Sequence, residues 1–205
     1  MKPDQEKVWD ALAEQWYHFR HQQFRDVGAE LKDLSALKPG KILEIGCGSC
    51  RNLLPFAKQG FQCYGIDFSK NMLKYAREYC KKYNFNVILK KARAEKLPFS
   101  DNSFDYILSI ATLHHLNRKE QELAVAEMTR VLKKNGIALV AVWNKFPMSL
   151  LVKEKYITWS VKGKVHWRYY YMFTPLELKR LLKKHGFEII MCGCKKNITI
   201  VAKKL

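Results

Sequence analysis

The stretch EIGCGSCRNL, residues 44–53, places one acidic residue, two glycines and two cysteines where three kinds of site could use them. It could be a turn that holds a nucleotide, a redox pair of cysteines, or half of a zinc site. Gly46 and Gly48 follow a short apolar segment, and Asp67 lies 21 residues after Gly46. A carboxylate at that spacing suits the hydroxyl groups of a ribose, which favours the nucleotide interpretation.

The cysteines do not have the spacing of a metal site. The six stand at positions 47, 50, 63, 80, 192 and 194. Neither a second CxxC pair nor a suitably spaced pair of histidines accompanies Cys47 and Cys50, so a zinc site lacks half of its ligands. We therefore expect reduced thiols and no bound metal.

The residue three positions after Gly48 indicates which nucleotide the turn suits. A dinucleotide fingerprint needs its last glycine there, and this sequence has Arg51 instead. A nucleoside without phosphates that carries a cationic amino-acid group fits better, with Glu44 near the amino group. S-adenosylmethionine has this constitution, and we expect it to be the cofactor.

Four motifs in order resemble those of the class I S-adenosylmethionine-dependent methyltransferases. They are EIGCG at 44–48, GIDFS at 65–69, AEKLPFSDNSFD at 94–105 and LKKNG at 132–136, within about residues 40–143. The resemblance implies a cofactor site of eleven residues: Glu44, Gly46, Cys47, Gly48, Asn52, Asp67, Phe68, Arg93, Ala94, Glu95 and Ile110.

Two residues depart from the family pattern. Cys50 stands where the first motif usually has its third glycine, and we expect it to begin a helix. Arg93 stands where relatives often have an aspartate that accepts a hydrogen bond from the adenine amino group, which an arginine cannot do. Either the backbone of Ala94 and the side chain of Glu95 recognise the adenine, or Arg93 stacks on it.

Strand and helix patterns alternate along the chain, which predicts one α/β domain over residues 1–205. We expect a Rossmann-like class I methyltransferase fold with a mostly parallel seven-stranded sheet. The last two strands are too close in sequence for a crossover helix and predict a C-terminal antiparallel hairpin. Residues 1–36 are expected to form a helical extension, 50–59 a helix, and 145–172 a less regular basic insertion that faces the substrate.

Segments outside the core resemble the tRNA methyltransferases that esterify 5-carboxymethyluridine at the wobble position. They are FRHQQFRDV at 19–27, SIATLHHL at 109–116 and RYYYMFTPLEL at 168–178. The resemblance implies a catalytic site of Arg20, His115, Arg168 and Tyr169. A carboxyl group with a pKa of roughly 4 is ionised at neutral pH, so it needs cationic donors more than a general base.

The charge of the chain favours a polyanionic partner. The net charge is +18, and residues 145–205 carry 14 Lys and Arg against 3 Asp and Glu, a local net of +11. We expect this end of the chain to bind the anticodon loop of tRNA, with an affinity that falls steeply with salt. The resemblance also implies a small zinc-containing activator subunit at a sheet edge formed by residues 86–90.

Two other functions stay open: a small-molecule methyltransferase of the same class, and a catalytically silent RNA-binding protein on the same scaffold. No apolar run approaches the roughly 18 residues of a membrane span. The N-terminal segment has no signal-peptide pattern either. We therefore expect a cytoplasmic protein that does not enter a membrane.

Overall fold

The computed structural model describes residues 3–19 and 37–205. Five α-helices occur in these ranges: α1 Gln5–Phe19, α2 Leu54–Lys58, α3 Lys70–Lys82, α4 Arg118–Val131 and α5 Pro175–Lys184. The strands there are β1 Lys41–Ile45, β2 Gln62–Asp67, β3 Ile88–Lys91, β4 Phe104–Ile110, β5 Leu132–Trp143, β6 Glu154–Val161, β7 Lys164–Tyr171, β8 Phe187–Cys194 and β9 Asn197–Lys204. Single turns of 3₁₀ helix cover Leu113–His115 and Met148–Leu150.

Seven of the strands form one sheet in the order β3-β2-β1-β4-β5-β9-β8. Neighbours among β1 to β5 run parallel, whereas β9 is antiparallel to β5 and β8 is antiparallel to β9. This confirms the predicted Rossmann-like fold and its C-terminal hairpin. The carboxyl ends of β1, β2 and β4 meet near the centre of the sheet, where open α/β sheets bind ligands.

Each face of the sheet is covered by its own apolar core. Met128 of α4 and Leu178 of α5 belong to the cluster on one face, and Phe56 and Leu73 of α2 and α3 belong to the cluster on the other. A smaller cluster joins α1 to α3 through Leu12 and Met72. The first helix is therefore fixed to the domain by apolar burial.

Side chains cap the starts of α3 and α5. The hydroxyl of Ser69 accepts a 3.0 Å hydrogen bond from the backbone N–H of Met72. Thr174 and Glu177 form a reciprocal capping box, with Pro175 as the first helical residue. Side chains of this type satisfy N–H groups that have no partner within the helix.

The prediction of an irregular insertion at 145–172 is wrong for most of its length. β6 and β7 pair in antiparallel register from Glu154↔Tyr171 to Val161↔Lys164 and form a separate two-stranded sheet. The turn residues Lys162 and Gly163 both have positive φ, 49° and 79°, as the tightest hairpin turns require. That the hairpin faces a substrate remains a prediction.

Part of the predicted N-terminal extension lies beyond what the structure covers. α1 accounts for residues 5–19 of the predicted range, and Arg20 and Phe24 lie outside the described residues.

Within 3–19 and 37–205, no helix is both long enough and apolar enough to cross a membrane. In the same ranges, no three His, Cys, Asp or Glu side chains group as metal ligands would.

Candidate active site

A cavity of about 150 Å³ opens at the carboxyl ends of β1, β2 and β4. The structure brings all eleven predicted cofactor residues to its wall: Glu44, Gly46, Cys47, Gly48, Asn52, Asp67, Phe68, Arg93, Ala94, Glu95 and Ile110. His115, one of the predicted catalytic residues, also lines it. The binding role of each residue stays a prediction, but their convergence on one cavity is a property of the fold.

The glycine turn after β1 needs its glycines for two different reasons. Gly46 has φ 68°, and a Cβ there would collide with the side chain of Thr112. Gly48 has φ 51° with open space beside it, and its N–H donates a 3.0 Å hydrogen bond to Asp67. The first glycine permits close packing, and the second leaves room for a ligand to approach the backbone.

Cys50 does not begin a helix, contrary to the sequence prediction. Its φ is 61°, the left-handed conformation that glycine adopts most readily, and α2 starts four residues later at Leu54. The side chain is fully buried in the core cluster that also contains Cys47, Cys63 and Cys80. Cys50 thus keeps the backbone geometry of a third glycine while its thiol fills space in the core.

The thiols of this turn are poorly suited to redox chemistry. A hydrogen bond with Cys50 acts to lower the pKa of the Cys47 thiol, but burial and nearby carboxylates outweigh it and raise the pKa to about 11. Burial also raises the pKa of Cys50 well above its ordinary value. A thiol that stays protonated is a weak nucleophile, which argues against the redox interpretation of CxxC.

Glu44 presents a buried carboxyl group to the cavity. Burial raises its pKa to about 8, although a 2.7 Å hydrogen bond from the Asn52 amide to Oε1 opposes this effect. The other oxygen, Oε2, is buried and has no hydrogen-bond partner among the described residues. A buried acceptor of this kind suits a cationic donor such as the ammonium group of an amino acid, so these residues fit S-adenosylmethionine.

Asp67 ends β2 beside Glu44. Burial raises its pKa to about 6, against hydrogen bonds that its carboxylate accepts from Ser69 N and Gly48 N at 2.9 and 3.0 Å. These bonds hold the carboxylate at the mouth of the glycine turn. Its remaining acceptor capacity is what a pair of ribose hydroxyls would use.

Arg93 lines the cavity and is held by aromatic and acidic neighbours. The guanidinium carbon is 5.6 Å from the centre of the Phe68 ring, and the charge pairs with Glu95, Glu120 and Glu6 at 3.3, 3.7 and 3.9 Å. The side chain is about half exposed. This arrangement leaves both sequence hypotheses open, because Ala94 and Glu95 also line the cavity and Arg93 already stacks on one aromatic ring.

One side of the cavity is aromatic. His115, Trp9 and Trp16 form its wall, and the rings of Trp9 and His115 are 4.8 Å apart. His115 Nδ1 lies 2.9 Å from the carbonyl oxygen of Tyr169, which can only accept. Nδ1 therefore carries the proton and Nε2 keeps a lone pair. Burial lowers the pKa of His115 to about 3, so the ring is neutral at physiological pH.

Arg168 and Tyr169 do not reach the wall of the cavity. The Arg168 side chain is buried, lies 4.9 Å from the centre of the Trp159 ring, and donates a 2.8 Å hydrogen bond to the Tyr170 hydroxyl. It also faces Trp9 and Trp16 at 5.9 and 5.7 Å, directly behind the aromatic side of the cavity. The catalytic roles of Arg168 and Tyr169 stay predictions. Since neither residue reaches the cavity, we expect both to act by positioning its wall.

Tyr169 contributes its backbone to the site and its ring to the core. Its carbonyl holds His115, and its N–H donates a 2.9 Å hydrogen bond to Gln5 Oε1. Its side chain packs in the core with that of Tyr171. His114 is the histidine that packs inward, because Trp143 N donates to its Nδ1 at 3.1 Å and its ring stacks on Tyr170.

Helix α1 forms the roof of the site, which sequence reasoning did not foresee. Trp9 and Trp16 are seven residues apart on one face of this helix and point into the cavity with Gln5. Asp10 anchors the helix to the start of α3 by accepting hydrogen bonds from the Ser69 hydroxyl and from Asn71 N at 3.1 Å. The seven-residue spacing of Trp9 and Trp16 is the sequence signal that could have predicted this roof.

Comparison with known proteins places this fold and site in a family. Residues 43–140 match a family described as a methyltransferase domain. A protein of Encephalitozoon cuniculi, named provisionally as a methyltransferase, is 32% identical over 163 residues, covering 74% of this chain and 72% of that protein. The chain belongs to the class I S-adenosylmethionine-dependent methyltransferases.

Other relatives of this methyltransferase differ in what they act on. It is 29% identical over 167 residues to the ubiquinone biosynthesis O-methyltransferase of Dinoroseobacter shibae, covering 80% of this chain but only 66% of that enzyme. Its fold matches the 1,6-didemethyltoxoflavin-N1-methyltransferase of Burkholderia thailandensis, solved with S-adenosylhomocysteine, with a TM-score of 0.70 and 18% identity over 100% of this chain and 92% of that one. The comparisons confirm the class and its cofactor, whereas the tRNA branch stays a prediction.

Proposed function

We propose that this methyltransferase transfers the methyl group of S-adenosylmethionine to an acidic oxygen atom of a small planar aromatic molecule. The observation that carries the proposal is the aromatic wall that Trp9, Trp16 and His115 give to the cavity. Flat rings bind well between such side chains. The similarity to an O-methyltransferase of ubiquinone biosynthesis supports the same substrate class.

The acidity of the acceptor follows from His115. Bound S-adenosylmethionine supplies an electrophilic methyl group on a sulfonium. His115 Nε2 can accept a proton, but a pKa of about 3 makes the ring a weak base. Taking a proton from an ordinary phenol of pKa ~10 would span about 7 pKa units, or about 9–10 kcal/mol. An acceptor oxygen that is already ionised at neutral pH avoids this cost.

Transfer from radiolabelled S-adenosylmethionine to a panel of carboxylated and acidic phenolic ring compounds tests the proposal. We expect methylation of at least one acidic compound and none of its uncharged counterpart. Glu44→Gln should weaken cofactor binding and lower the transfer rate when the cofactor is well below saturation, so it serves as the matched control. Transfer only to macromolecules would exclude a small-molecule substrate.

The second candidate is the reaction implied by the sequence resemblance: esterification of 5-carboxymethyluridine in tRNA. A pyrimidine ring with a carboxylate is itself a flat, acidic acceptor, and the strongly basic second half of the chain favours it. Trp167 is 49% exposed on the outer side of the hairpin β6–β7, beside the lysines of that segment. Incubation with bulk tRNA and nucleoside mass spectrometry would reveal the methyl ester, and its absence with correctly modified tRNA would remove this candidate.

A partner at the sheet edge remains a proposal linked to the tRNA reaction. β3 is an edge strand, and Ile88 is 44% exposed there. Lys91 is held by Glu6 at 2.6 Å and Lys90 lies over the Phe99 ring at 4.7 Å, so neither lysine extends across the edge. Co-expression with a small zinc-containing activator subunit should raise solubility or activity, and an unchanged outcome would count against it.

The catalytically silent alternative is the least supported of the three. The glycine turn, Glu44 and Asp67 keep the geometry that the cofactor needs. Any methyl transfer from radiolabelled cofactor, to either substrate class, would exclude it.

A cytoplasmic location also stays a prediction, which cell fractionation would test.

A further inference from the structure

A second cavity, of about 280 Å³, lies between α4, α5 and the end of β7, outside the site described above. Three cationic side chains line it: Arg118 from α4, and Arg180 and Lys184 from α5. The rings of Tyr171 and Phe173 form its apolar floor. Concave sites with a few convergent charges are typical of ligand binding.

The acidic side chains in this cavity are already neutralised. Glu122 pairs with Lys184 at 2.9 Å and with His185 Nε2 at 2.7 Å. Glu177 pairs with Lys153 at 2.9 Å and completes the cap of α5. Each carboxylate is thus committed to a cation of the protein itself.

Arg118 and Arg180 are left without an ion pair to any acid in residues 3–19 and 37–205. Both are exposed at the mouth of the cavity. The guanidinium carbon of Arg118 lies 6.0 Å from the centre of the Tyr171 ring, which holds the side chain against the cavity floor. Two guanidinium groups that have no acidic partner among the described residues therefore line one concave surface.

We propose that this cavity binds a phosphate group through Arg118 and Arg180. A guanidinium donates two parallel hydrogen bonds to phosphate oxygens, and two such groups match a ligand with more than one negative charge. The phosphate can come from an RNA strand or from a phosphorylated metabolite. The proposal goes beyond methyl transfer and holds whichever acceptor enters the first cavity.

The position of the second cavity relates it to the first. Leu116 and Glu120 line the first cavity, and Arg118 and Gln121 line the second, so the first turn of α4 separates the two. A ligand that crosses this turn can place a ring in the first cavity and a phosphate in the second. Phosphate contacts of this kind fix the register of a substrate.

Isothermal titration calorimetry with two probes, inorganic pyrophosphate and a single-stranded RNA, tests the site. The variant is Arg118→Gln/Arg180→Gln, and the matched control is Lys119→Gln/Lys183→Gln. The control removes the same charge from exposed neighbours on the same two helices that do not line the cavity. Circular dichroism checks that both variants fold.

We expect the arginine variant to weaken binding of at least one probe about tenfold, as loss of charge-assisted hydrogen bonds does, and the lysine control to change little. With RNA, the slope of log K against log salt should also fall by about 0.7, the contribution of one phosphate contact in a single strand. An effect on pyrophosphate alone identifies a phosphorylated metabolite as the ligand, and an effect on RNA identifies a phosphodiester. The proposal is overturned if the wild type binds neither probe, or if both variants weaken binding equally.

Discussion

The amide of Asn52 donates a 2.7 Å hydrogen bond to one oxygen of the buried Glu44 carboxyl, and the other oxygen has no hydrogen-bond partner among the residues that the structure describes. The pKa of about 8 means that Glu44 is mostly protonated at pH 7 in the cofactor-free protein. The cationic amino group of bound cofactor would favour the ionised carboxylate. Binding should therefore expel roughly one proton at pH 7.

Titration calorimetry in buffers of different ionisation enthalpy measures this proton release. Glu44→Gln should abolish the release and weaken S-adenosylmethionine binding about tenfold, because a charged hydrogen bond is lost. A binding enthalpy that is independent of the buffer would contradict the role assigned to Glu44.

Asp67 should make stability and cofactor affinity respond to pH in opposite directions. Its folded pKa of about 6 lies above the ordinary value of 3.8, so the folded protein holds this proton more tightly than the unfolded chain between these values. Its contribution to stability is fully present below pH 3.8 and is lost as the pH rises through 6. Cofactor affinity should rise over the same interval, because the ribose hydroxyls need an ionised acceptor.

The test compares wild type with Asp67→Asn between pH 4 and 7. The difference in unfolding free energy, from urea titration, isolates Asp67 from other groups that titrate in this range. The variant should bind S-adenosylmethionine weakly and with little dependence on pH. A wild-type affinity that stays constant from pH 5 to 7 would refute the assignment.

Cys50 offers a comparison that separates backbone strain from side-chain packing. Cys50→Gly and Cys50→Ala both remove the buried thiol, but only glycine adopts φ 61° without steric cost. We expect the glycine variant to be more stable than the alanine variant by about 1 kcal/mol. Urea unfolding measures the difference, and equal stabilities would show that the left-handed conformation carries no strain.

His115 should shape the cavity wall as a neutral ring that its Nδ1 hydrogen bond holds in place. His115→Asn can keep the donor to the Tyr169 carbonyl, whereas His115→Gln places an acceptor near the Nε2 position. Because an ionised acceptor needs no base, we expect the asparagine variant, which keeps the anchoring hydrogen bond, to lose less than about tenfold in kcat, and the glutamine variant, which loses that bond, to lose more.

The pH profile gives an independent check on His115. Since its pKa is about 3, kcat should show no inflection near pH 6.5 that belongs to this ring. The NMR resonance of its Hε1 proton should stay unshifted down to about pH 4. An inflection near pH 6.5 that disappears in the glutamine variant would contradict a neutral His115.

The roof helix should depend on Asp10 for its placement. Asp10→Ala leaves the Ser69 hydroxyl and the Asn71 N–H without their acceptor and should lower stability by about 1–2 kcal/mol. It should also weaken cofactor binding, because α1 carries Trp9 and Trp16. Glu14→Ala on the same helix removes only an exposed ion pair and is the control. Equal cofactor affinities in the two variants would show that the roof does not contribute.

The cofactor side of the site could be predicted because its residues follow strands in the sequence. Glu44, Gly46 and Gly48 lie in or after β1, and Asp67 ends β2, so the parallel arrangement alone brings them to one edge. The helix starts at Ser69 and Thr174 also depend only on nearby sequence, since each capping side chain bonds to an N–H three residues further along. The conformation of Cys50 was missed because a helix pattern cannot reveal a single positive φ.

The hairpin β6–β7 was missed because basic and aromatic residues mask its alternation. Its tyrosines show why. Tyr169 and Tyr171 point into the main core, while Tyr170 stacks on His114 and Trp143 on the other side. Both faces of this end of the strand are covered, and burial on both faces removes the polar alternation that marks a strand.

The sequence by itself determined the class of fold, the glycine turn and the acidic residues Glu44 and Asp67 of the first cavity, since each depends on neighbours within a few residues or on strand order. Only the tertiary structure decided what surrounds the methyl-accepting end. Trp9 and Trp16 come from the start of the chain, and Arg168 and Tyr169 from its second half, to enclose His115. Contacts over such separations depend on how α1 and the hairpin pack against the sheet, which the spacing of residues within each element does not specify.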